Sequence, residues 1–168
     1  MSILLPGQSA PEFNLRDQYG IGHRLSDYRG IWVILCFLPT DYNNSFIKAA
    51  CALRDDFSLI QDRQAELFGI NLGGKRAHAH LSERYGLSFP LLTDKWGKVC
   101  ERYNALWSLG PLKVVRRNSI IVNPSGHIMR IYKRINPDAH SKELIRDLDL
   151  LQQTFFRLPK RSVGTSIN

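Results

Sequence analysis

Seven apolar residues follow one another at positions 32–38, and the run ends at Pro39. A run of this length that proline closes predicts a strand buried on both faces. After a short polar turn at 40–45, apolar residues recur at steps of four and three, which places them on one face of a helix. They are Phe46, Ala50, Leu53, Phe57 and Ile60. The pattern therefore predicts a buried strand that leads into a helix at about 46–64.

The rest of the chain alternates between strand and helix patterns, with glycine and proline at the boundaries. Strand patterns lie at 13–15, 23–25, 66–72, 89–92, 118–122 and 127–135, and the first two form a small N-terminal hairpin. Helical patterns lie at 77–85, from 97 to about 106 and at 138–156. Asn-Pro-Ser-Gly at 123–126 predicts the turn between two antiparallel strands. This order predicts an α/β protein with a central mixed sheet flanked by helices.

The length and composition fit a single domain. A chain of 168 residues with 43% hydrophobic content can bury a substantial core. We assign 1–156 to this domain and the basic segment 157–168 to a flexible tail. The apolar residues at 3–5 are too few for a signal peptide, and no run approaches the roughly 20 residues of a membrane helix. We expect a cytoplasmic protein without membrane insertion, either a monomer or a homodimer.

The three cysteines, Cys36, Cys51 and Cys100, do not form a C-x-x-C pair. This argues against a disulfide scaffold, a zinc ribbon and a thioredoxin-type dithiol. His78 and His80 are two positions apart, a spacing that does not place both on one face of a helix. The sequence therefore predicts neither a metal site nor a cofactor.

The positive charge is concentrated in one part of the chain. The net charge is +8, and no acidic residue occurs between Arg102 and Pro137. Arg130, Tyr132 and Arg134 would share one face of a strand, and such a basic stripe with an aromatic residue suits an anionic partner. An anion- or nucleic-acid-binding module at 113–134, with Lys133 included, is one functional hypothesis. A solvated basic face is its alternative, since no recognised nucleic-acid motif accompanies the stripe.

Several segments, in order and spacing, resemble peroxiredoxins (the alkyl hydroperoxide reductase and thiol-specific antioxidant family), in particular the bacterioferritin-comigratory or Q type. They are Gly-x-x-Ala-Pro-x-Phe-x-Leu at 7–15, Leu-Ser-Asp-Tyr-Arg-Gly at 25–30, Phe-x-Pro at 37–39, Cys-x-x-Arg-Asp at 51–55, Tyr-Gly-Leu-x-Phe-Pro-Leu-Leu-x-Asp at 85–94 and Arg-Asn-Ser-Ile-Ile-Val-Asn-x-x-Gly at 117–126. The resemblance implies a thioredoxin fold with an N-terminal hairpin.

The resemblance also implies a site. A peroxidatic cysteine in the first turn of the helix after the central strand is activated by the helix N-terminus and an arginine, and a resolving cysteine follows five residues later. The motif resembles Pro-x-x-x-Thr-x-x-Cys, of which Pro39 matches the proline. Asn43 stands at the threonine position and Phe46 at the peroxidatic position. Cys51 matches the resolving cysteine, and Arg117 matches the active-site arginine.

Phenylalanine has no nucleophile, so we expect a peroxiredoxin fold with a degenerate active site. Its expected role is non-catalytic: binding, scaffolding or regulation of an unknown protein partner. The alternative is a thiol peroxidase or oxidoreductase that works through Cys51 with a thioredoxin-like reductant. If Cys51 is not reactive, it is a small apolar residue on the buried side of the helix, a common role for a free cysteine. A disulfide between Cys51 and Cys100 is a further alternative. Arg117 either still holds an anion or is a structural cation.

Overall fold

The computed structural model describes residues 3–157 of the chain. Its strands are β1 Asn14–Arg16, β2 Gly22–Arg24, β3 Trp32–Phe37, β4 Ala65–Asn71, β5 Leu91–Thr93, β6 Leu106–Leu109, β7 Leu112–Val115, β8 Asn118–Val122 and β9 Ile128–Tyr132. Its helices are α1 Asn44–Asp55, α2 Phe57–Gln61, α3 Lys75–Tyr85, α4 Lys98–Arg102 and α5 His140–Arg157. Of the predicted tail, Arg157 ends α5, and 158–168 lie outside the described residues. Across residues 3–157, none of the helices has the length and apolar character needed to cross a membrane.

Seven of the strands form one mixed sheet, in the order β2-β1-β5-β4-β3-β8-β9. Strand β3 runs parallel to β4 and antiparallel to β8, and β4 runs parallel to β5. Strands β1 and β2 form the predicted antiparallel hairpin. Helices connect the parallel strands, as such crossovers require. The predicted α/β class with a central mixed sheet is confirmed.

Strand β3 supplies side chains to a hydrophobic core on each face of the sheet. Trp32, Ile34 and Cys36 pack with α1, α2 and α5 on one face. The alternate residues of the strand pack with α4 and the N-terminal segment on the other face. All six residues of β3 are buried, so the predicted strand with two buried faces is confirmed. The site at the end of β3 is therefore held by the most buried element of the fold.

The helix predicted at 46–64 is broken at Asp56 into α1 and α2. Asp56 is 5% exposed, and its carboxylate accepts hydrogen bonds from the Ser141 hydroxyl at 2.7 Å and Lys142 Nζ at 2.6 Å. These partners lie on α5, so the break is set by a contact about 85 residues away along the chain. The predicted apolar face survives the break, since all five of its residues are buried.

The prediction of a helix from 97 to about 106 is correct only for its first part. Helix α4 ends at Arg102, and β6 and β7 form a separate two-stranded sheet that the pattern did not indicate. Tyr103 terminates the helix because its buried ring packs on Phe37 with 5.3 Å between the centroids, and its hydroxyl donates to the Pro11 carbonyl at 2.6 Å. The next residue, Asn104, has a left-handed φ of 55°. Several apolar side chains of this hairpin are exposed, so its sequence lacks the alternation of apolar and polar residues that indicates a half-buried strand.

Candidate functional site

The site that the resemblance implies lies at the connection between β3 and α1. Strand β3 ends at Phe37, and the Leu38 N–H still donates to the Ile70 carbonyl at 3.0 Å. Pro39 follows, half-buried, and the chain then turns through polar residues into α1. The buried strand β3 is thus followed directly by the N-terminus of α1, where the first backbone N–H groups have no partner within the helix.

Asn43 is the N-cap of α1. Its side-chain oxygen accepts a hydrogen bond from the Phe46 N–H at 3.0 Å, and its amide donates to the Asp41 carboxylate at 2.7 Å. The cap therefore occupies the N–H of Phe46, a donor that a thiolate or peroxide oxygen in this turn would otherwise use. The carboxylate of Asp41 adds a negative charge close to the positive end of the helix.

Replacing this cap should measurably weaken the helix start. We expect Asn43→Ala to lower the free energy of unfolding by about 1 kcal/mol, because the Phe46 N–H loses its acceptor. Asn43→Thr should lose less, since a threonine hydroxyl also caps helices. Chemical denaturation monitored by circular dichroism measures both variants. Equal losses in the two would mean that the cap contributes nothing specific.

Phe46 is the third residue of α1, and its side chain is completely buried. It belongs to the core that includes Cys36, Ala50 and Leu53. Its ring meets the ring of Tyr42 edge-to-face, with 5.0 Å between the centroids and an interplanar angle of 74°. The position that the resemblance assigns to the reactive thiol thus holds a packed hydrocarbon ring.

Arg117 lies directly before β8 and reaches the first turn of α1. Its Nη1 donates to Ser45 Oγ at 2.8 Å. Its Nε is buried and has no hydrogen-bond partner among the described residues. The structure therefore brings Arg117 to the turn that contains Asn43 and Phe46, although 72 positions separate it from Ser45.

Cys51 lies farther along α1 than the first turn. It is half-buried, and all three cysteines are free. Residues five apart in a helix are separated by about 7.5 Å along the axis alone. A disulfide needs Cα atoms less than about 7 Å apart. A bond between positions 46 and 51 would therefore require α1 to unwind.

The other two thiols are buried on either side of the sheet. Cys36 lies on β3, and burial raises its thiol pKa to about 12. Cys100 lies on α4, and burial together with the nearby Asp94 carboxylate raises its pKa well above the ordinary value. Both thiols are protonated at neutral pH, and the thiol form is a poor nucleophile. The prediction that Cys36 is a core residue is confirmed.

A buried polar chain beside Arg117 was not predicted from the sequence. Ser119 Oγ lies 3.4 Å from Cys36 Sγ and 2.9 Å from His140 Nε2. His140 Nδ1 lies 3.0 Å from Glu143 Oε2. Burial lowers the pKa of His140, whose two ring nitrogens join Glu143 to Ser119. The only sequence signal was a histidine at the start of the last helix.

A small cavity lies between this polar chain and Arg117. Its volume is about 10 Å³, and Cys36, Ser119 and His140 line it with apolar residues of α1. That is about the space of one water molecule. The cavity is therefore too small for an organic substrate.

Of the predicted basic stripe, Arg130 and Tyr132 do share one face of β9, but an acidic residue lies against that face and Arg134 does not belong to it. Arg130 Nη1 contacts the Asp147 carboxylate at 2.5 Å, and the buried Tyr132 donates its hydroxyl to the same carboxylate at 2.7 Å. Asp147 lies on α5, which covers this face of the strand. Arg134 lies after the end of β9 and has a left-handed φ of 56°, so the alternation stops before it.

Solved structures that share this fold include peroxiredoxins. The crystal structure of Peroxidoxin BcpB from Mycobacterium tuberculosis matches with a TM-score of 0.81 and 25% identity, over 87% of this chain and 97% of that one. A PrxQ mutant from Xylella fastidiosa matches in fold with a TM-score of 0.84 and 17% identity, over 90% and 99% of the two chains. The chain has a thioredoxin fold of the peroxiredoxin type, as the resemblance implied.

Sequence comparison leads to the same class. The model of the AhpC/TSA family matches residues 6–131. The putative peroxiredoxin bcp of Coxiella burnetii is 31% identical over 143 residues, which is 83% of this chain and 95% of that protein. Peroxiredoxin Q, chloroplastic, from Oryza sativa subsp. japonica is 32% identical over 147 residues, 86% of this chain and 67% of that protein. This chain belongs to the AhpC/TSA family, in its bacterioferritin-comigratory or Q-type group. Because one plant relative is named as chloroplastic, the cytoplasmic location stays a prediction.

Proposed function

We propose that this chain is a binding or regulatory member of the peroxiredoxin family that does not reduce peroxides. The observation that carries the proposal is the completely buried ring of Phe46 in the first turn of α1. A peroxide is cleaved there only by a thiolate, and a phenyl ring cannot supply one. The backbone N–H of Phe46 already donates a hydrogen bond to the Asn43 side chain.

The other cysteines do not readily replace the missing thiol. Two are buried as protonated thiols, with raised pKa values. Cys51 lies beyond the first turn of α1, where the favourable effect of the helix dipole on a thiolate has faded. Arg117 is bonded to Ser45, in the first turn. These placements favour a protein that keeps the fold and uses it to bind a partner.

The alternative function is a thiol peroxidase or oxidoreductase that works through Cys51. One observation favours it: Cys51 is half-buried, whereas the other two thiols are fully buried. Such an enzyme would need a thioredoxin-like reductant to return Cys51 to the thiol. It would also need a nucleophile activated without the first-turn N–H groups, so we rank it second.

Peroxide treatment of the reduced protein separates the two functions. We expect all three cysteines to react with hydrogen peroxide no faster than a free thiol, measured by thiol-specific mass spectrometry after a modest dose. Peroxide consumption with a thioredoxin system should stay at the level of the buffer. Cys51→Ser is the control. Rapid oxidation of Cys51, with consumption that disappears in Cys51→Ser, would establish the enzyme instead.

A further inference from the structure

A pocket of about 660 Å³ opens where the start of β8 meets the segment after β9. Four cationic side chains line it: Arg116, Arg117, Lys133 and Arg134. No carboxylate is among its lining residues. Within residues 3–157, no ion pair joins any of the four cations to an aspartate or glutamate.

Several other arginines in the described part have an acidic partner. Arg130 is paired with Asp147, Arg63 with Asp149 and Arg54 with Asp55. Their charges are therefore locally compensated. The cations of the pocket have no such compensation, so the positive potential of this region is concentrated where β8 begins and β9 ends.

Arg117 adds a donor whose direction is fixed. Its bond to Ser45 holds the guanidinium in place, while its buried Nε–H has no partner among the described residues. A buried donor left without a partner is unfavourable, because it has lost its hydrogen bond to water. An anion in the pocket would relieve the repulsion among the four cations.

We propose that this pocket binds a phosphate-bearing small molecule. The inference rests on the proposed function, because it specifies the class of ligand that the proposed binding protein takes. Guanidinium groups match phosphate oxygens in a bidentate fork, and four uncompensated cations suit a ligand with at least two negative charges. Ile3 and Ile135 form apolar parts of the wall, and the volume lies in the range of about 300–1,000 Å³ that small-molecule sites occupy. A concave site of this size suits a compact ligand better than a polynucleotide strand.

Isothermal titration calorimetry with inorganic phosphate and pyrophosphate, at constant ionic strength and pH 7.5, tests the pocket. We expect pyrophosphate to bind one molecule per chain and more tightly than phosphate. The double variant Lys133→Glu, Arg134→Glu should weaken pyrophosphate at least about tenfold. Lys75→Glu, Arg76→Glu is the matched control, because it reverses an exposed Lys-Arg pair on α3, outside the pocket, and should leave binding unchanged.

Three outcomes would overturn the inference. They are no binding of pyrophosphate, equal weakening by the two double variants, or tighter binding of a single-stranded DNA oligonucleotide that both variants weaken. The last result would indicate a diffuse nucleic-acid surface. Peroxide consumption is assayed in the same samples: turnover together with intact pyrophosphate binding would contradict only the proposed function, and a lack of both would contradict only the pocket.

Discussion

Phe46→Cys should react with hydrogen peroxide at least about a hundred times faster than the wild-type protein, the scale on which a positioned donor or charge acts in an active site. The new thiol would lie at the third position of α1, within the first turn, where the helix dipole favours a thiolate. Arg117 already reaches this turn through Ser45.

Stopped-flow competition kinetics with hydrogen peroxide measures the rate, and mass spectrometry identifies the oxidised sulfur. Phe46→Ala is the matched control, because it opens a similar cavity without a thiol. Both variants should lose about 3–5 kcal/mol of the free energy of unfolding, since Phe46 is completely buried. A folded Phe46→Cys protein that reacts like a free thiol would show that the surroundings no longer support the chemistry, or that Phe46 is not the peroxidatic position.

The product of this reaction should also be informative. We expect the sulfenic acid at position 46 to form first and a disulfide with Cys51 to follow slowly, because α1 must unwind before the two sulfurs can meet. In Phe46→Cys, Cys51→Ser the sulfenic acid should persist. Immediate disulfide formation would mean that the first turns of α1 open readily in solution.

The free energy of unfolding should fall by about 3 kcal/mol between pH 6.5 and pH 4 through His78 alone. His78 is completely buried on α3, and burial lowers its pKa to about 4. Its Nε2 lies 2.7 Å from the Asn71 side-chain oxygen, and its Nδ1 lies 3.3 Å from Thr93 Oγ1. No carboxylate is among these hydrogen-bond partners, and the effect of burial outweighs the hydrogen bond with the Leu91 backbone, which favours the charged ring.

The direction follows from which state takes up the proton first. In the unfolded chain a histidine protonates near pH 6.5, whereas in the folded protein His78 stays neutral until about pH 4. The unfolded state therefore binds more protons throughout this interval, and stability declines as the pH falls. The burial of His140 acts in the same direction. The stability that His78 contributes is fully present above pH 6.5.

Urea denaturation at several pH values, in wild type and in His78→Gln, isolates this contribution. The variant keeps a polar group near Asn71 but cannot titrate, so its stability should depend less on pH over this range. His80→Gln, at the exposed histidine of the same helix, controls for the loss of one histidine. Identical pH dependence in wild type and His78→Gln would contradict the prediction.

The predictions from sequence are confirmed for elements whose own pattern of apolar residues shows which positions are buried. The apolar run at 32–38 predicted β3, and the period of the following residues predicted the buried face of α1 and α2. Gly86 predicted the end of α3, and it does adopt the left-handed conformation there, with φ 61°. The turn at 123–126 is also present, since the Gly126 N–H donates to the Asn123 carbonyl at 2.8 Å.

The predictions are wrong where contacts with residues distant in the chain determine where an element ends. The helix break at Asp56 depends on Ser141 and Lys142, and the end of α4 depends on Phe37 and Pro11. The β6–β7 hairpin leaves both its faces largely open, so its residues show no clean alternation of apolar and polar positions.

The sequence by itself determined the order along the chain of the seven strands of the main sheet, the family resemblance and the phenylalanine at position 46, because each of these depends on residues that are neighbours in the chain. Only the tertiary structure decided which groups meet: Arg117 with Ser45, His140 with Ser119, and Arg130 with Asp147. The same holds for the pocket, whose cations come from two segments joined by the pairing of β8 with β9. Periodicity shows which side of an element is buried, whereas contacts and charge compensation depend on what the rest of the chain packs against that side.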